Sequence, residues 1–361
     1  MFYTIFNIFN VSEPQSSSKY NSCVLFGGNG FIGSHFAAYL LDNNIVSKVT
    51  ITDVGTIKPD TWPKSLQLRF AAGEIDYVKI DVRQPIASQP DASKLPSAPD
   101  LIVNLAAVHK EPGHKAEEYF LTNLPGAENV CAWADQVDCK YIVFTSSIAT
   151  YGGDSSTKDE NSLTMPNSPY GVSKLTAEKI HIAWQRAKAG RKLLIVRPGV
   201  IFGAGEKGNV TRMVKAVLGH YFFFSGNKAV RKAGGYVKEL CRSMAFMMNW
   251  QQEHNEDVTL FNFTMNPAPS VGEYAIGIAK VAGVKRSTPN VPYRLLLLGS
   301  YLVHGINTVL GRKQSISPTT VRKVLKYNNI APKVLNDLGY EYEYTLEQGL
   351  ADWYKEAPQD W

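Results

Sequence analysis

Short, continuously apolar runs alternate with amphipathic stretches along the first half of this chain, and this alternation constrains the fold more than any other feature. The apolar runs include SCVLFG, KVTITD, YVKID, DLIVNLA, KYIVFTSS and KLLIVRPG. Continuous runs of Val, Ile, Leu and Phe are typical of strands that are buried on both faces of a parallel sheet. The stretches at 31–43, 115–137 and 169–189 have helical spacing. The repetition predicts an α/β fold with a doubly wound parallel sheet.

A glycine-rich stretch, FGGNGFIG, joins the first predicted strand to the first predicted helix. Gly27 permits a tight turn, Gly30 lets backbone amides approach a pyrophosphate, and Gly33 lets the helix pack closely on the strand. The helix N-terminus then offers N–H groups and partial positive charge to the anion. Asp53 closes the next strand, where an acid accepts hydrogen bonds from ribose hydroxyls and repels a 2′-phosphate. The stretch predicts a Rossmann-type site for NAD rather than NADP, with a plain turn as the alternative.

A second informative stretch is NSPYGVSKLTAEKI. Ser168 and Pro169 suit the N-cap and first position of a helix, which places Tyr170 and Lys174 one turn apart on the same face. An ammonium beside a phenol lowers the phenol's pKa from about 10, so that Tyr170 can exchange a proton with an alcohol or ketone near neutral pH. Ser147 ends a predicted strand at the sheet edge where ligands bind. A Tyr–Lys pair on the surface is the alternative interpretation.

Taken together, the glycine loop 27–33, Ser147, Tyr170 and Lys174 resemble the extended short-chain dehydrogenase/reductase superfamily, and more narrowly its NAD-dependent nucleotide-sugar epimerase, dehydratase and reductase branch. The resemblance runs from about Ser22 to the C-terminus. It implies NAD as the cofactor, a nucleotide-sugar as the substrate, and Ser147, Tyr170 and Lys174 as catalytic residues, Lys174 also binding the nicotinamide ribose. Besides the three glycines and Asp53, the cofactor-binding positions that it implies are Phe31, Ile32, Asp81, Val82, Ala106, Ala107, His109, Asn123, Pro198 and Val200.

The resemblance also implies a substrate site formed by Ser147, Asn209, Arg231 and Lys232, with the last three near the phosphates. Each has a simpler interpretation from the sequence alone. Asn209 could cap the following helix. Arg231 and Lys232 could be solvated surface charges.

Departures from the related enzymes narrow the expected reaction. The 4,6-dehydratases that this chain resembles have Asp-Glu directly after the catalytic Ser or Thr, and the 3,5-epimerase-reductases have Cys and His nearby, whereas here Ile148 and Ala149 follow Ser147. The reactions that remain use hydride transfer with tyrosine acid–base chemistry, either for 4-epimerisation or for reduction of a 4-keto sugar. The resemblance also suggests a role in supplying sugars for lipopolysaccharide or other surface polysaccharides. UDP-galactose-type epimerases often have Asn at the position of Val200, so the identity of the substrate sugar stays undetermined. Hydroxysteroid- or flavonol-type reduction and a non-catalytic dinucleotide-binding regulator are the alternatives.

The rhythm of the sequence changes after Gly203, and this predicts three parts. Residues 1–20 form an N-terminal extension and 21–203 the NAD-binding Rossmann domain. Residues 204–361 form a smaller, mainly helical substrate lobe, of which 236–264 return to the main sheet.

Composition limits the partners. The formal net charge of +6 is spread along the chain without a basic run, which does not favour nucleic-acid binding. The four cysteines have no CxxC pair, so we expect neither a metal site nor a disulfide framework, and the absence of a signal-peptide pattern favours a cytoplasmic protein.

The apolar stretch 291–311 is too polar to span a bilayer and predicts a partly buried helix or, alternatively, a peripheral membrane contact. The amphipathic stretches 115–137 and 169–189 predict a homodimer surface.

Overall fold

The structure is a computed structural model that describes residues 19–111, 113–153, 156–225, 227–285, 288–309 and 328–361. Its strands are β1 (Tyr20–Phe26), β2 (Val46–Asp53), β3 (Ile75–Lys79), β4 (Leu101–Asn104), β5 (Tyr141–Thr145), β6 (Lys192–Pro198), β7 (Val200–Phe202), β8 (Phe224–Ser225), β9 (Gly234–Tyr236), β10 (Val258–Phe263) and β11 (Asn290–Val291). Its helices are α1 (Phe31–Asp42), α2 (Lys64–Ala71), α3 (Ala116–Gln136), α4 (Pro169–Arg186), α5 (Asn209–Leu218), α6 (Val237–Glu253), α7 (Val271–Val281), α8 (Tyr293–Val309), α9 (Lys333–Asp337) and α10 (Leu346–Glu356).

Within the described residues, seven strands form one sheet in the order β3-β2-β1-β4-β5-β6-β10, and every neighbouring pair is parallel. β4 and β5 are buried at every position, as continuous apolar strands between two helical layers must be. The strand order reverses between β1 and β4, so the crevice for a ligand opens at the carboxyl ends of these two strands. The predicted doubly wound sheet is confirmed.

The C-terminal part of the chain contributes the last strand of this sheet. β10 pairs in parallel with β6 after the helix α6, and Phe261 and Phe263 are fully buried against the sheet. Two short parallel pairs, β7–β9 and β8–β11, lie outside the main sheet with the later helices. The boundaries predicted at 20/21 and 203/204 stay predictions, and the extension at 1–20 lies outside the described residues except for Lys19 and Tyr20.

A buried ion pair fastens the helix α4 to the carboxyl end of β6. Arg197 donates from Nε and Nη2 to the two carboxylate oxygens of Glu178, at 2.8 and 2.6 Å, and both side chains are almost fully buried. Ser146 donates its hydroxyl to the same carboxylate, and Arg197 Nη1 donates to the hydroxyl of Tyr151 at 2.8 Å. Tyr151 in turn donates to Asn262 on β10. The network therefore joins β5, α4, β6 and β10 at one edge of the sheet.

Removing one member of this pair is expected to destabilise the protein strongly, because the other charge is left buried without a partner. We predict that Arg197→Met lowers the free energy of unfolding by about 3–5 kcal/mol, and that Glu178→Leu/Arg197→Met recovers at least half of that loss. Urea denaturation of the two variants and the wild type measures both quantities. An Arg197→Met protein as stable as the wild type would contradict the prediction.

Candidate active site

The loop after β1 has the geometry of a phosphate-binding turn. Gly27 has a φ of +76°, and a Cβ at this position would lie 2.7 Å from the backbone nitrogen of Ala106. A Cβ on Gly33 would lie 2.5 Å from the carbonyl oxygen of Gly27, so α1 can pack this close only with glycine. Gly30 is the N-cap of α1 and offers no side chain to its first N–H groups, which begin with those of Phe31 and Ile32. These residues fit a dinucleotide pyrophosphate.

Asp53 lies beside this loop, and Asp81 forms an ion pair with the side chain of Arg83. The N–H groups of Gly27 and Gly28 both donate to Thr52, the neighbour of Asp53 at the end of β2. Asp53 accepts a hydrogen bond from Val54 N at 2.8 Å. Asp81 accepts from Arg83 Nε and Nη2, and these bonds hold the pKa of its carboxyl below the usual value.

Among the cofactor-binding positions, the family resemblance implies that Asp81 and Val82 contact the adenine. The side chain of Val82 is buried, and its carbonyl accepts a hydrogen bond from Asn129 on α3 at 2.8 Å. Because the Asp81 carboxylate is paired with Arg83, an adenine contact at this position would be made most simply by the backbone. The assignment of Asp81 and Val82 to the adenine stays a prediction.

Asn123 anchors the segment that follows β4 to the helix α4. Its side chain accepts from Val108 N at 2.8 Å and donates to Val108 O at 3.1 Å. It also donates to Ser173 Oγ, which donates to the carbonyl of Tyr170 at 2.8 Å. The segment containing Ala106, Ala107 and the exposed His109 is thereby held beside the predicted catalytic helix.

Ser147 and Tyr170 meet at the carboxyl edge of the sheet. Ser147 caps the short 3-10 helix at 148–151 and accepts from Ala149 N at 3.1 Å. The side chains of Ser147 and Tyr170 are neighbours, close enough for Ser147 to lower the pKa of the phenol. A Cβ on Gly171 would lie 2.5 Å from the carbonyl oxygen of Ala149, so α4 reaches this turn only because glycine follows the tyrosine. Gly171 was not predicted from the sequence as a site residue, although its position directly after Tyr170 was a usable signal.

The pKa of Tyr170, one turn from Lys174, shifts in the direction opposite to the one expected. The Nζ of Lys174 lies 4.4 Å from the centroid of the Phe144 ring, and burial lowers its pKa to about 7, opposed by the charge of Glu178. Burial raises the pKa of Tyr170 to about 12, and the neighbouring Ser147 opposes this rise. In the protein alone the pKa of Tyr170 is therefore raised and not lowered as expected, because burial disfavours the phenolate.

A layer of side chains behind Lys174 was also missed from the sequence. His181 stacks on Phe144 with ring centroids 4.1 Å apart, and Asn104 Nδ2 donates to His181 Nε2 at 3.2 Å. Asn104 Oδ1 accepts from Ala106 N, which links this layer to the cofactor segment. His181 lies seven residues after Lys174 on one helix face, and that spacing was the available signal.

Pro198 and Val200 lie where β6 ends and the chain enters the second lobe. The N–H of Gly199 donates to Phe263 O on β10, and that of Val200 donates to Ala233 O, both at 2.9 Å. A Cβ on Gly199 would lie 2.5 Å from Ala233 O. This turn is therefore fixed between β10 and β9, at the carboxyl edge of the sheet.

The three predicted phosphate-binding side chains have local partners. Asn209 is the first residue of α5, whose N-cap is Gly208, and its side-chain oxygen accepts from Arg212. The alternative that Asn209 caps the helix is therefore wrong. Arg231 donates to the carbonyl of Ala268, and burial lowers the pKa of Lys232, so neither is a fully solvated charge. Their binding of phosphate stays a prediction.

Comparison with known proteins gives a family match. The model of the NAD dependent epimerase/dehydratase family matches residues 23–260. An N-acetyl-α-D-glucosaminyl-diphospho-ditrans,octacis-undecaprenol 4-epimerase of Escherichia coli is 29% identical over 252 residues, which cover 70% of this chain and 75% of the relative. A decarboxylating sterol-4-alpha-carboxylate 3-dehydrogenase of Saccharomyces cerevisiae is 22% identical over 348 residues, covering 92% of this chain and 97% of the relative.

Among solved structures, the UDP-Glc/GlcNAc 4-epimerase of Campylobacter jejuni aligns with a TM-score of 0.71 and 18% identity. The alignment covers 94% of this chain and 99% of that chain. At this identity the likeness shows the fold.

The burial of Lys174 leads to a test by stability. The pKa of Lys174 falls from the usual 10.5 to about 7. Its charged amine therefore lowers the free energy of unfolding by the largest amount below about pH 7, and this loss shrinks as the pH rises toward 10.5. We predict that Lys174→Met is more stable than the wild type by on the order of 2 kcal/mol at neutral pH, and that the gain shrinks by about pH 9.

Chemical denaturation at several pH values measures this difference. Lys48→Met is the matched control, since the Lys48 side chain is 58% exposed in a surface ion pair with Asp76. It is expected to change stability by less than about 0.5 kcal/mol. A Lys174→Met protein that is less stable than the wild type at every pH would refute the interpretation.

Proposed function

Because this chain belongs to the NAD-dependent epimerase/dehydratase family of enzymes, we propose that it is a 4-epimerase whose substrate is a sugar attached through a diphosphate, as in a nucleotide-sugar. The observation that carries the proposal is that the side chains of Ser147 and Tyr170 lie next to each other, with Lys174 one turn along α4, at the edge where the glycine loop opens. The names of the Escherichia coli and Campylobacter jejuni proteins support it, since both are 4-epimerases of diphosphate-linked sugars.

In the proposed reaction, Tyr170 moves the proton and Ser147 holds the oxygen. NAD, which the glycine loop at 27–33 and Lys174 would hold, would supply hydride transfer to and from the sugar carbon and, in its oxidised form, a positive charge in the site. That charge opposes the effect of burial, which alone raises the pKa of Tyr170 to about 12. The Tyr170 oxygen then takes the proton of the 4-hydroxyl and gives it back after the sugar has turned. Ser147 Oγ positions the same oxygen within reach of Tyr170.

Dehydration is disfavoured by the residues beside Ser147. The next two positions are Ile148, which is buried, and Ala149, and neither side chain can protonate a leaving hydroxyl. A 4-ketoreductase would use the same Ser147 and Tyr170 for the reducing half of the reaction. The epimerase is preferred because the similar Escherichia coli protein is a 4-epimerase.

A second candidate is a dehydrogenase of hydroxysteroid type. The Saccharomyces cerevisiae sterol dehydrogenase matches along nearly its whole length. The same Tyr170 chemistry would oxidise a sterol alcohol. A substrate panel of UDP-, dTDP- and GDP-sugars, a polyprenyl-diphosphate sugar and a 3β-hydroxysteroid discriminates the two, because only the steroid reaction leaves stoichiometric NADH.

The setting of the enzyme is part of the same proposal. We propose a cytoplasmic homodimer that contributes to surface-polysaccharide sugar supply, with α3 and α4 forming the contact between copies. These two helices pack together, and each leaves an apolar side chain outside: Leu121 is 68% and Val172 is 37% exposed. Light scattering that finds only monomer would reject the dimer.

Tyr170→Phe tests the catalytic assignment. We predict a loss of about 10²–10⁴-fold in kcat, because the variant cannot transfer the hydroxyl proton, while NAD still binds. Conversion of each sugar is followed by NMR, and NAD binding by titration calorimetry. Tyr354→Phe, on the exposed face of α10, is the matched control and keeps its activity. Full activity of Tyr170→Phe on every active substrate would sink the assignment.

Asp53 gives a separate prediction about the cofactor. NAD is expected to bind at least about tenfold more tightly than NADP, because the carboxylate repels a 2′-phosphate. Asp53→Asn removes that charge and should narrow the ratio. Parallel titrations with both dinucleotides measure it, and equal or tighter binding of NADP to the wild type would refute the prediction.

A further inference from the structure

A chain of three buried hydrogen bonds connects the end of β4 to the helix α4. Asn104, the last residue of β4, accepts from Ala106 N through Oδ1 and donates from Nδ2 to His181 Nε2, both at 3.2 Å. His181 Nδ1 donates to Ala177 O, one turn earlier on α4, at 2.8 Å. Asn104 and His181 are 2% and 0% exposed. Buried polar groups that are fully paired keep one arrangement, because any other leaves a donor or an acceptor unpaired.

The two ends of this chain fix its direction. Its first donor is the backbone N–H of Ala106, and its last acceptor is the backbone carbonyl of Ala177. Only the neutral tautomer of His181 with its proton on Nδ1 satisfies both ends, since Nε2 must then accept from the Asn104 amide. Burial, assisted by the nearby charge of Lys174, lowers the pKa of His181 to about 4, which keeps the ring neutral at physiological pH. The oxygen of Asn104 is thereby turned toward Ala106.

One end of the chain lies at the switch point of the sheet. In the parallel register Asn104 pairs with Phe26 at the end of β1 and with Phe144 near the end of β5. The strand order reverses between β1 and β4, and a dinucleotide binds outside the carboxyl ends of the strands at such a point. A Cβ on Gly27 would lie 2.7 Å from Ala106 N, the atom whose N–H Asn104 binds. Asn104 therefore fixes the peptide against which the glycine loop packs.

The other end of the chain lies in the predicted catalytic helix. His181 stacks on Phe144 with ring centroids 4.1 Å apart, and Lys174 Nζ lies 4.4 Å from the centroid of the same ring. Ala177 and His181 follow Lys174 by about one and two turns, on the same side of α4. The hydrogen bonds thus connect the segment beside the glycine loop to the helix that carries Tyr170 and Lys174.

We propose that Asn104 and His181 are positioning residues for the dinucleotide. His181 in its Nδ1–H tautomer holds the Asn104 amide, and Asn104 holds the peptide at Ala106 against the glycine loop. The cofactor-binding segment and α4 thereby keep a fixed relation, without either side chain touching NAD. The inference rests on the NAD dependence of the family to which the chain belongs, and not on the sugar or the reaction, so the proposed epimerase can fail without it.

Substitutions at His181 test the proposal through the affinity of the full-length protein for NAD, measured by titration calorimetry. His181→Leu removes the acceptor of the Asn104 amide, and we expect NAD to bind about tenfold more weakly, the effect of one lost hydrogen bond. The segment stays attached at Val108 through Asn123, so the loss is partial. His181→Gln places an acceptor at about the reach of Nε2 and should restore the affinity to within about threefold of the wild type.

A purely structural role would give a different pattern of affinities. Gln185→Leu is the matched control, because Gln185 is also buried on α4 and donates to the carbonyl of Arg191, which directly precedes β6 at the amino edge of the sheet. It should lower the melting temperature as His181→Leu does and yet bind NAD like the wild type. In Asn104→Leu/His181→Leu both partners are apolar, so part of the stability returns, while NAD binding stays about tenfold weaker because Ala106 N–H lacks its acceptor.

The tautomer of His181 gives a readout that is independent of affinity and of turnover. Long-range proton–nitrogen NMR spectra of protein labelled at histidine distinguish the two neutral tautomers, and the His181 signal is identified by its absence in His181→Gln. We expect the Nδ1–H form between about pH 6 and 9. The proposal is overturned by an Nε2–H form, by wild-type affinity in His181→Leu, by an equal loss in His181→Gln, or by an equal loss in Gln185→Leu.

Discussion

The buried ion pair of Glu178 is the interaction on which the predicted catalytic edge of this structure depends. Its carboxylate accepts two hydrogen bonds from Arg197 and one from Ser146, and it lies one helical turn after Lys174. An unpaired carboxylate at this depth would be costly, whereas the paired one also opposes the desolvation of the lysine. The position of α4 against β5 and β6, and with it the reach of Tyr170, follows from this contact.

Two close backbone approaches then set the site geometry. Gly171 lets the first turn of α4 lie against Ala149, which brings Tyr170 to Ser147. Gly27 lets the phosphate loop lie against Ala106, beside the segment that Asn123 ties to the same helix. In both places a Cβ would meet backbone atoms within 3 Å, so no side-chain rearrangement could relieve the overlap. The positions of the predicted cofactor loop and of the Ser147–Tyr170 pair are therefore set by close contacts between glycines and backbone atoms of neighbouring segments.

Whether a feature could be predicted from the sequence depended on how far apart along the chain the interacting residues lie. The glycine turn, the cap at Ser168 and the parallel sheet depend on neighbours within one element or one strand–helix unit, and the structure confirms them. The raised pKa of Tyr170 and the contact of Lys174 with Phe144 depend on burial by several elements, so one-turn spacing gave the wrong direction for the phenol. Residues far apart in sequence set these properties, and no local pattern records them.

The same burial explains why the site is made from these residue types. A lysine whose pKa falls to about 7 is partly neutral near physiological pH, so its charge responds to whatever anion or cation lies next to it. A phenol whose pKa rises to about 12 keeps its proton until a positive charge is added nearby. The protein alone thus disfavours the phenolate of Tyr170 and part of the charge on Lys174, so both charged forms depend on what else occupies the site. Such a site avoids carrying a buried phenolate and ammonium between turnovers, which would cost folding free energy.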